Sequence, residues 1–390
     1  MQSRFGLSGS VIDNEEGQEY TPAKIGDGVT SLGLVSLFDY ENAAETILSK
    51  GLWDFIAGGA DDEITLRRNR EAFDRIPIEP RFLIDVSDRD LSTSVLGMDI
   101  DVPVMIAPAG AQRHVRPEGD LATARAAART GTIMIVATTA GYTIEEIGAA
   151  TNGPLWYQLY HYDDGITAEM IARAQASGFL AICVTVDGIA SRGKHRDIRN
   201  GFVLDPSLGL ANVRHRQDIA TALREAALSQ RPTAGLREKN ALTWRRIAWL
   251  RSLTDLPIVI KGIMSPSDAV LAAEHGVDGI VVSNHGGRLW DGTLSTIEAL
   301  PRIAEIVDGR LEIYLDSGVR RGTDVLKALA LGARAVMVGR PVFWGLAIDG
   351  EEGVLAVLEI LRNEFSQAMA ISGKITTKEI GPEVICNDVG

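Results

Sequence analysis

Residues 257–283 read PIVIKGIMSPSDAVLAAEHGVDGIVVS, and this stretch decides the fold class. It starts with a short apolar run that ends at Lys261 and finishes with a second apolar run. Between the two runs, Ser265 is a good helix N-cap and Pro266 suits the first helical turn. Gly276 suits the left-handed residue that follows a helix. A strand, a helix and a second strand in direct succession predict a unit with two parallel strands.

The same unit recurs along most of the chain. Eight short apolar runs are predicted to be strands: 104–107, 133–137, 156–159, 180–186, 258–261, 279–283, 313–316 and 335–338. Near-continuous apolar runs are typical of parallel strands that are buried on both faces. Gly131, Gly178 and Gly332 are predicted to end three further helices. Eight strand–helix units predict an α/β protein, a (β/α)8 TIM barrel.

Other segments surround this barrel. Residues 1–35 are polar and glycine-rich, and we predict a flexible N-terminal arm. A helical pattern over 37–73 predicts an N-terminal helical extension, which belongs with a C-terminal helix to one barrel domain over 36–390. Residues 200–242 are too long for a simple loop after strand four, and they include a charged helical stretch at 216–229. An insertion at this point is predicted to be lid-like and to lie over the active-site face.

Composition excludes several classes of partner. A net charge of −13 argues against nucleic-acid binding, because affinity for a phosphate backbone requires an excess of lysine and arginine. No apolar window reaches the length of about 18 residues that spans a bilayer. The chain has only two cysteines, Cys183 in an apolar run and Cys386 in the polar tail, which fits a reducing compartment. We therefore expect a cytoplasmic protein that binds a small molecule and neither nucleic acid nor membrane.

Polar and small residues follow the predicted strands around the whole barrel. In this fold the active site lies at the carboxyl ends of the strands. We therefore expect the following residues to share one cavity: Pro108, Ala109, Gly110, Thr138, Gln158, Tyr160, Thr185, Asp187, Lys261, Ser283, His285, Asp316, Gly339 and Arg340.

The ends of strands seven and eight have the features of an anion site. Gly318 and Arg320 follow strand seven, and Gly339 with Arg340 follows strand eight. Loops at these two positions commonly bind phosphate in TIM barrels, where glycine permits close backbone approach and arginine adds bidentate charge. The alternative is that Arg320 only pairs with Asp316.

His285 is the candidate catalytic base. Asp187 follows another strand, and a carboxylate beside an imidazole stabilises its protonated form, as a proton-accepting base requires. Arg288 supplies a cation for a substrate carboxylate. Lys261 ends an apolar strand and needs an anionic partner, either another carboxylate or a bound group. No histidine, cysteine or aspartate cluster has metal-ligand spacing, so we expect no metal.

The chain resembles the FMN-dependent α-hydroxy-acid oxidases and dehydrogenases, a family that includes glycolate oxidase, lactate oxidase and mandelate dehydrogenase. The resemblance covers residues 36–380. Its strongest segments are Ala57-Gly58-Gly59-Ala60-Asp61, Ile106-Ala107-Pro108, Pro117-Glu118-Gly119, Lys261-Gly262, Ser283-Asn284-His285-Gly286-Gly287-Arg288 and 316–322. The resemblance implies FMN as the cofactor and a homotetramer or homo-octamer as the assembly.

The resemblance also implies roles for single residues. His285 would be the base, supported by Asp187, while Tyr160 and Arg288 would hold the substrate. A proton would leave the substrate, and a hydride equivalent would pass to flavin N5, so that the CH–OH of a 2-hydroxy acid becomes a 2-oxo acid. The residues that would hold FMN are Pro108, Ala109, Gly110, Thr138, Gln158, Thr185, Lys261, Ser283, Asp316, Gly318, Arg320, Gly339 and Arg340.

Three positions depart from the family pattern. Phe55 stands where the family has a tyrosine that contacts the substrate carboxylate, and Lys194 stands where it has a second arginine. At the end of strand two, Ala137 replaces a serine or threonine, with Thr138 beside it. The first two changes lie in the substrate site, where we still expect both side chains to contact substrate. We therefore expect FMN binding to be intact and the substrate to differ from glycolate or lactate.

Three functions remain open from the sequence. The first is oxidation of a 2-hydroxy acid, with oxygen or another acceptor reoxidising the flavin. The second keeps the flavin and the base but oxidises an amine, an amino acid or a modified peptide, as Phe55 and Lys194 would allow. The third is a flavin- or phosphate-binding protein without turnover, against which His285, Asp187 and Arg288 argue.

Overall fold

The barrel is closed and entirely parallel. A computed structural model describes residues 33–189, 193–219, 221 and 242–386 of the chain. Its eight barrel strands are β3 (Val104–Ile106), β4 (Met134–Ala137), β5 (Leu155–Leu159), β6 (Ile182–Thr185), β7 (Ile258–Ile263), β8 (Gly279–Val282), β9 (Glu312–Leu315) and β10 (Ala335–Val338). They pair in chain order, and β10 closes the ring onto β3. The predicted α/β TIM barrel is confirmed, with each strand within two residues of its predicted ends.

Alternation along the strands divides the barrel interior into layers. Successive side chains of a strand point to opposite faces. An inner layer of apolar side chains therefore fills the barrel, and it includes Trp156, Cys183, Val259 and Tyr314. The residue two positions further along each strand points into the mouth, as Lys261 does after Val259. The layer beneath the mouth is dense, because the Trp156 and Tyr314 rings meet edge to face at 5.6 Å.

Helices cover the outside of the barrel. They are α1 (Leu37–Ile47), α2 (Lys50–Ala57), α3 (Ile64–Asp74), α4 (Gly119–Arg129), α5 (Ile144–Ala149), α6 (Asp164–Ala176), α7 (His195–Asn200), α8 (Ile247–Arg251), α9 (Pro266–Glu274), α10 (Thr296–Val307), α11 (Gly322–Ala330) and α12 (Arg340–Ile371). Ser265 caps α9 as predicted, because its hydroxyl accepts the N–H of Asp268 at 3.1 Å. A break at Asp349 and Gly350 divides α12 into two parts. Within the described ranges, these helices are all too short or too polar to cross a membrane.

A hairpin that we did not predict closes the other end of the barrel. β1 (Thr93–Val95) and β2 (Met98–Ile100) pair antiparallel. Val95 and Ile100 are buried against the inner apolar layer. The hairpin therefore seals the end of the barrel that faces away from the mouth. Most of the predicted arm, residues 1–32, and most of the predicted helical stretch at 216–229 lie outside the described residues.

One buried carboxyl group ties α4 to the barrel. Asp120, in the first turn of α4, is fully buried, and its Oδ2 accepts the N–H of Gly141 at 2.9 Å. Burial raises the pKa of Asp120 to about 6, although the bond from Gly141 and the charge of Arg113 act in the opposite direction. A carboxyl group in an unfolded chain has a pKa of about 3.9. The folded state therefore holds this proton more tightly than the unfolded state does.

This difference predicts a pH-dependent stability. The contribution is fully present below about pH 4 and is lost as the pH rises through about 6. Substituting Asp120→Asn removes the titration, so the stability of this variant relative to the natural chain should rise by roughly 2 kcal/mol between pH 4 and pH 7. Urea unfolding of both proteins across this range measures the difference. A difference that stays constant with pH would contradict the assignment.

Candidate active site

A cavity of about 350 Å³ lies at the mouth of the barrel. Residues after the strands converge on it, as the fold requires. Fourteen of the predicted site residues line it: Phe55, Pro108, Ala109, Gly110, Gln158, Tyr160, Lys261, His285, Arg288, Asp316, Gly318, Arg320, Gly339 and Arg340. The five that do not line it are Thr138, Thr185, Asp187, Lys194 and Ser283.

A buried ion pair crosses three neighbouring strands at the floor of the cavity. Lys261 Nζ lies 2.7 Å from Asp316 Oδ2, and the two side chains are only 4% and 8% exposed. Lys261 Nζ also donates to Ser283 Oγ at 2.7 Å. Burial would lower the pKa of Lys261, but Asp316 and Asp187 together raise it above its usual range. Lys261 therefore stays protonated, as one half of a buried ion pair at the floor of the cavity.

His285 is held in an unusual backbone conformation. Its φ of 58° lies in the left-handed region, which is costly for a residue with a Cβ and is found mainly where function maintains it. The His285 N–H donates to Ser283 Oγ at 3.1 Å, and Nδ1 lies 3.0 Å from Asp187 Oδ1. A carboxylate can only accept, so Nδ1 carries the proton. Nε2 then has a free lone pair.

The opposite side of the cavity is positively charged. Among the described residues, Arg320 donates to Val319 O and stacks over the Trp344 ring, and Arg340 donates to backbone carbonyls. The structure therefore does not show the alternative pairing of Arg320 with Asp316. Burial lowers the pKa of both guanidinium groups, and for Arg340 repulsion from nearby arginines adds to the effect. Among the described residues, neither guanidinium group has a carboxylate within ion-pair distance, although Glu41 acts on both charges from further away. Two partly buried cations of this kind are suited to a phosphate.

Gly318 allows the loop after strand seven to pack directly against α3. Its φ is 94°, and a Cβ there would lie 2.1 Å from the carbonyl oxygen of Asn69. Only glycine fits between the strand-seven loop and α3. The backbone beside Arg320 is thus packed directly under the cavity.

Two residues that were predicted to hold FMN each have a buried polar atom without a hydrogen-bond partner among the described residues. The two atoms are Gln158 Nε2 and Thr185 Oγ1. The Gln158 amide is oriented by its oxygen, which accepts the N–H of Thr138 at 3.1 Å. Buried polar groups are nearly always hydrogen-bonded, so these atoms indicate a missing ligand. With a phosphate-type end at Arg320 and Arg340 and hydrogen-bonding groups at the far end, the residues present fit FMN.

Thr138 has a structural contact instead of a place in the cavity. Its hydroxyl donates to the Gln158 carbonyl at 2.6 Å and accepts the N–H of Tyr160 at 3.0 Å. It therefore joins the ends of β4 and β5. The neighbouring Thr139 lines the cavity.

Lys194 does not line the cavity. Its Nζ donates to the Phe55 carbonyl at 2.9 Å, lies 2.5 Å from Asp197 Oδ2 and sits 3.8 Å from the centre of the Phe55 ring. Burial lowers the pKa of Lys194 well below its usual value, despite the neighbouring Asp197. Arg288 is on the other side: it lines the cavity and donates to Ile56 O at 2.9 Å. Lys194, which we predicted to bind the substrate carboxylate, thus contacts Phe55 instead.

Other lining residues had no role assigned from the sequence. They include Thr139, His114, Ser317, Phe343 and the insertion residues Leu204, Asp205, Pro206, Gly209 and Leu210. Ser317 lies in the glycine-rich segment after strand seven, so the motif itself could have identified it. The insertion residues carry no periodic signal, and only their place after strand four pointed to the mouth.

Comparison with known proteins agrees with this site. The L-lactate oxidase of Nostoc sp. is 46% identical over 347 residues, which cover 87% of this chain and 94% of that protein. The glycolate oxidase of Spinacia oleracea is 44% identical and covers 91% of this chain and 96% of its own length. A solved mandelate oxidase with (S)-4-hydroxymandelic acid superposes with a TM-score of 0.84 at 39% identity, covering 90% of this chain and 98% of its own.

The family match spans the whole barrel. The FMN-dependent dehydrogenase family matches residues 44–387, from α1 to the end of the described chain. FMN is accordingly the cofactor of this enzyme, and the residues that line the cavity fit it. With cavity, fold and relatives in agreement, this chain belongs to the FMN-dependent dehydrogenase family.

Proposed function

We propose that this enzyme oxidises the CH–OH group of a 2-hydroxy acid to a 2-oxo acid. The observation that carries the proposal is that His285, which is paired with Asp187, lines the same cavity as the cation Arg288. A base and a carboxylate-binding cation in one cavity suit a substrate with a hydroxyl group next to a carboxylate. The relatives named above, a lactate, a glycolate and a mandelate oxidase, act on acids of this class.

His285 is the proton acceptor in this proposal. Asp187 fixes the proton on Nδ1, so Nε2 accepts the substrate proton and the positive charge that develops is stabilised by the Asp187 carboxylate. Arg288 binds and orients the substrate carboxylate, and Tyr160 adds a phenol to the same wall. FMN, when bound, supplies the acceptor for the hydride equivalent. Lys261 provides a fixed positive charge beneath the cofactor site.

Cofactor binding is assigned to the remaining predicted residues. Arg320, Arg340, Gly318 and Gly339 would hold the phosphate end. The other end would be held by Gln158, Thr185, Lys261 and the segment 108–110, with Thr138, Ser283 and Asp316 positioning them. The orientation of Gln158 by Thr138 and of Lys261 by Ser283 and Asp316 supports this division.

The substrate end favours a molecule other than the smallest hydroxy acids. Phe55 offers no phenol donor, and the Lys194 charge is taken by Asp197. Arg288 is then the cation left for the carboxylate among the described cavity residues. A 2-amino acid is the second candidate substrate. With fewer protein groups bound to the carboxylate, the other groups of the substrate contribute a larger share of the binding free energy.

Assembly and location complete the proposal. We propose a cytoplasmic homotetramer or homo-octamer, in which the described residues 204–210 of the insertion form a lid-like cover. An apolar loop supports assembly: Phe82 is 74% exposed, and Leu83 is fully exposed with a φ of 62°. Exposed apolar side chains on a strained backbone are costly in a monomer.

The first experiment identifies the substrate class. The purified flavoprotein is mixed without oxygen with matched pairs of 2-hydroxy and 2-amino acids, from glycolate and glycine to larger side chains. We expect 2-hydroxy acids with larger side chains to bleach the flavin absorption band, because electrons then reside on the cofactor. Bleaching by amino acids alone would contradict the proposal and favour the second candidate.

The second experiment tests the base. His285→Ala should retain FMN and its yellow colour but reduce the rate of flavin bleaching by at least about 10²-fold, the usual contribution of a general base. His275→Ala is the matched control, since His275 is exposed at the end of α9 and its Nδ1 lies 2.9 Å from Leu271 O. Loss of FMN from the His285 variant would overturn the assigned role.

The third experiment restores the family residues at the substrate end. Phe55→Tyr adds a donor at the cavity wall, and one hydrogen bond to a charged group is worth about 1.5–3 kcal/mol. We expect KM for glycolate or lactate to fall roughly tenfold or more. Lys194→Arg alone should change it little, because Asp197 and the Phe55 carbonyl hold this position. Equal effects of the two substitutions would contradict the geometry described for Lys194.

A further inference from the structure

Gly141 is the point at which four parts of the chain meet behind the cavity wall. Its N–H donates to Asp120 Oδ2 at 2.9 Å, from α4. Its carbonyl accepts from Arg113 Nη1 at 3.2 Å, from the loop after β3. A Cβ at Gly141 would lie 2.3 Å from Arg113 Cδ and 2.7 Å from the carbonyl of Leu208. Two charged side chains thus hold one glycine backbone from both sides, and the insertion packs against it.

The neighbours of Gly141 lead directly to the cavity. Thr139, two residues earlier, lines it. The carbonyl of Ala140 accepts the N–H of Ala211 at 3.1 Å, which fixes the insertion to this loop. On the other side, the N–H of Ile144 donates to Asn212 Oδ1 at 2.8 Å, and Asn212 is fully buried. The insertion is therefore hydrogen-bonded to the loop after β4 and packs against it.

The part of the insertion that packs against this loop, residues 204–210, forms one wall of the cavity. Leu204, Asp205, Pro206, Gly209 and Leu210 line the cavity, immediately before the anchoring residues Ala211 and Asn212. One further contact holds the wall, between His114 Nε2 and Asp205 O at 3.0 Å.

We infer that Asp120 and Arg113 are positioning residues for substrate binding, because their hold on Gly141 places the wall formed by residues 204–210. Neither side chain lines the cavity. Their effect on substrate therefore passes through Gly141, Ala140 and Ala211. The inference rests on the proposed function only for the identity of the substrate; the placement of the wall is testable without it.

The Gly141 clamp is the pair of hydrogen bonds that Gly141 makes with Asp120 and Arg113. Three variants separate the effect of losing this clamp from general destabilisation of the fold. Asp120→Ala removes the acceptor for Gly141 N–H, whereas Asp120→Asn keeps an oxygen there and should restore the clamp. Asp278→Ala is the matched control at the opposite end of the barrel, where Asp278 accepts the N–H of Ile258 at 2.7 Å and pairs with Arg251. Both alanine variants lose an aspartate that binds a backbone N–H beside an arginine.

Two measurements on the FMN-loaded enzyme test the inference. Hydrogen exchange of residues 139–142 and 204–213 should become at least tenfold faster in Asp120→Ala than in Asp278→Ala or Asp120→Asn. With the acid that bleaches the flavin most effectively, Asp120→Ala should raise KM roughly tenfold while kcat changes less than twofold and FMN stays bound.

The outcomes are distinguishable. Unchanged exchange in both segments, or an equal rise in KM for Asp278→Ala, would overturn the positioning role. A fall in kcat with unchanged KM would also overturn it. If no acid bleaches the natural enzyme, the proposed function fails, and the exchange measurement still decides whether the clamp places the wall.

Discussion

The alternation of side chains along eight parallel strands is the constraint on which the whole site depends. A residue that packs inside the barrel is followed, two positions later, by one that faces the mouth. Val259 precedes Lys261 in this way, and Tyr314 precedes Asp316. The functional side chains therefore stand on a layer of tightly packed apolar residues. Their positions are set by the packing of the barrel, with little freedom left to the loops.

The ion pair between Lys261 and Asp316 fixes two opposite charges at defined positions at the floor of the cavity. Two charges out of water are costly, and removing one partner of such a pair leaves an uncompensated charge that typically costs 3–5 kcal/mol. Ser283 links the pair to His285, because its hydroxyl accepts from both Lys261 Nζ and the His285 N–H. The Lys261 ammonium group and the backbone of His285 are thus held by one hydroxyl group. Such preorganisation is what makes a site effective in stabilising developing charge.

The sequence predicted the parts of the molecule that follow from local patterns. Apolar runs with capped helices between them identified all eight strands, and residues after the strands identified a part of the cavity lining. The hairpin of β1 and β2 was missed because three-residue strands are too short to show a period. The contacts of Lys194 were not predicted, for a different reason. Its place in the chain is compatible with the cavity, but Asp197 and the Phe55 carbonyl are partners that only the tertiary structure brings to it.

The end of α2 explains how several cations can share one cavity. The carbonyls of Phe55, Ile56 and Gly58 accept hydrogen bonds from Lys194, Arg288 and Arg340. These carbonyls form the negative end of the helix dipole, which favours nearby cations. A neutral carbonyl orients a guanidinium group without neutralising its charge, whereas a carboxylate would cancel it. The N-terminal helices are therefore part of the site, because they hold Arg288 and Arg340 in place and leave both charges available for anionic ligands.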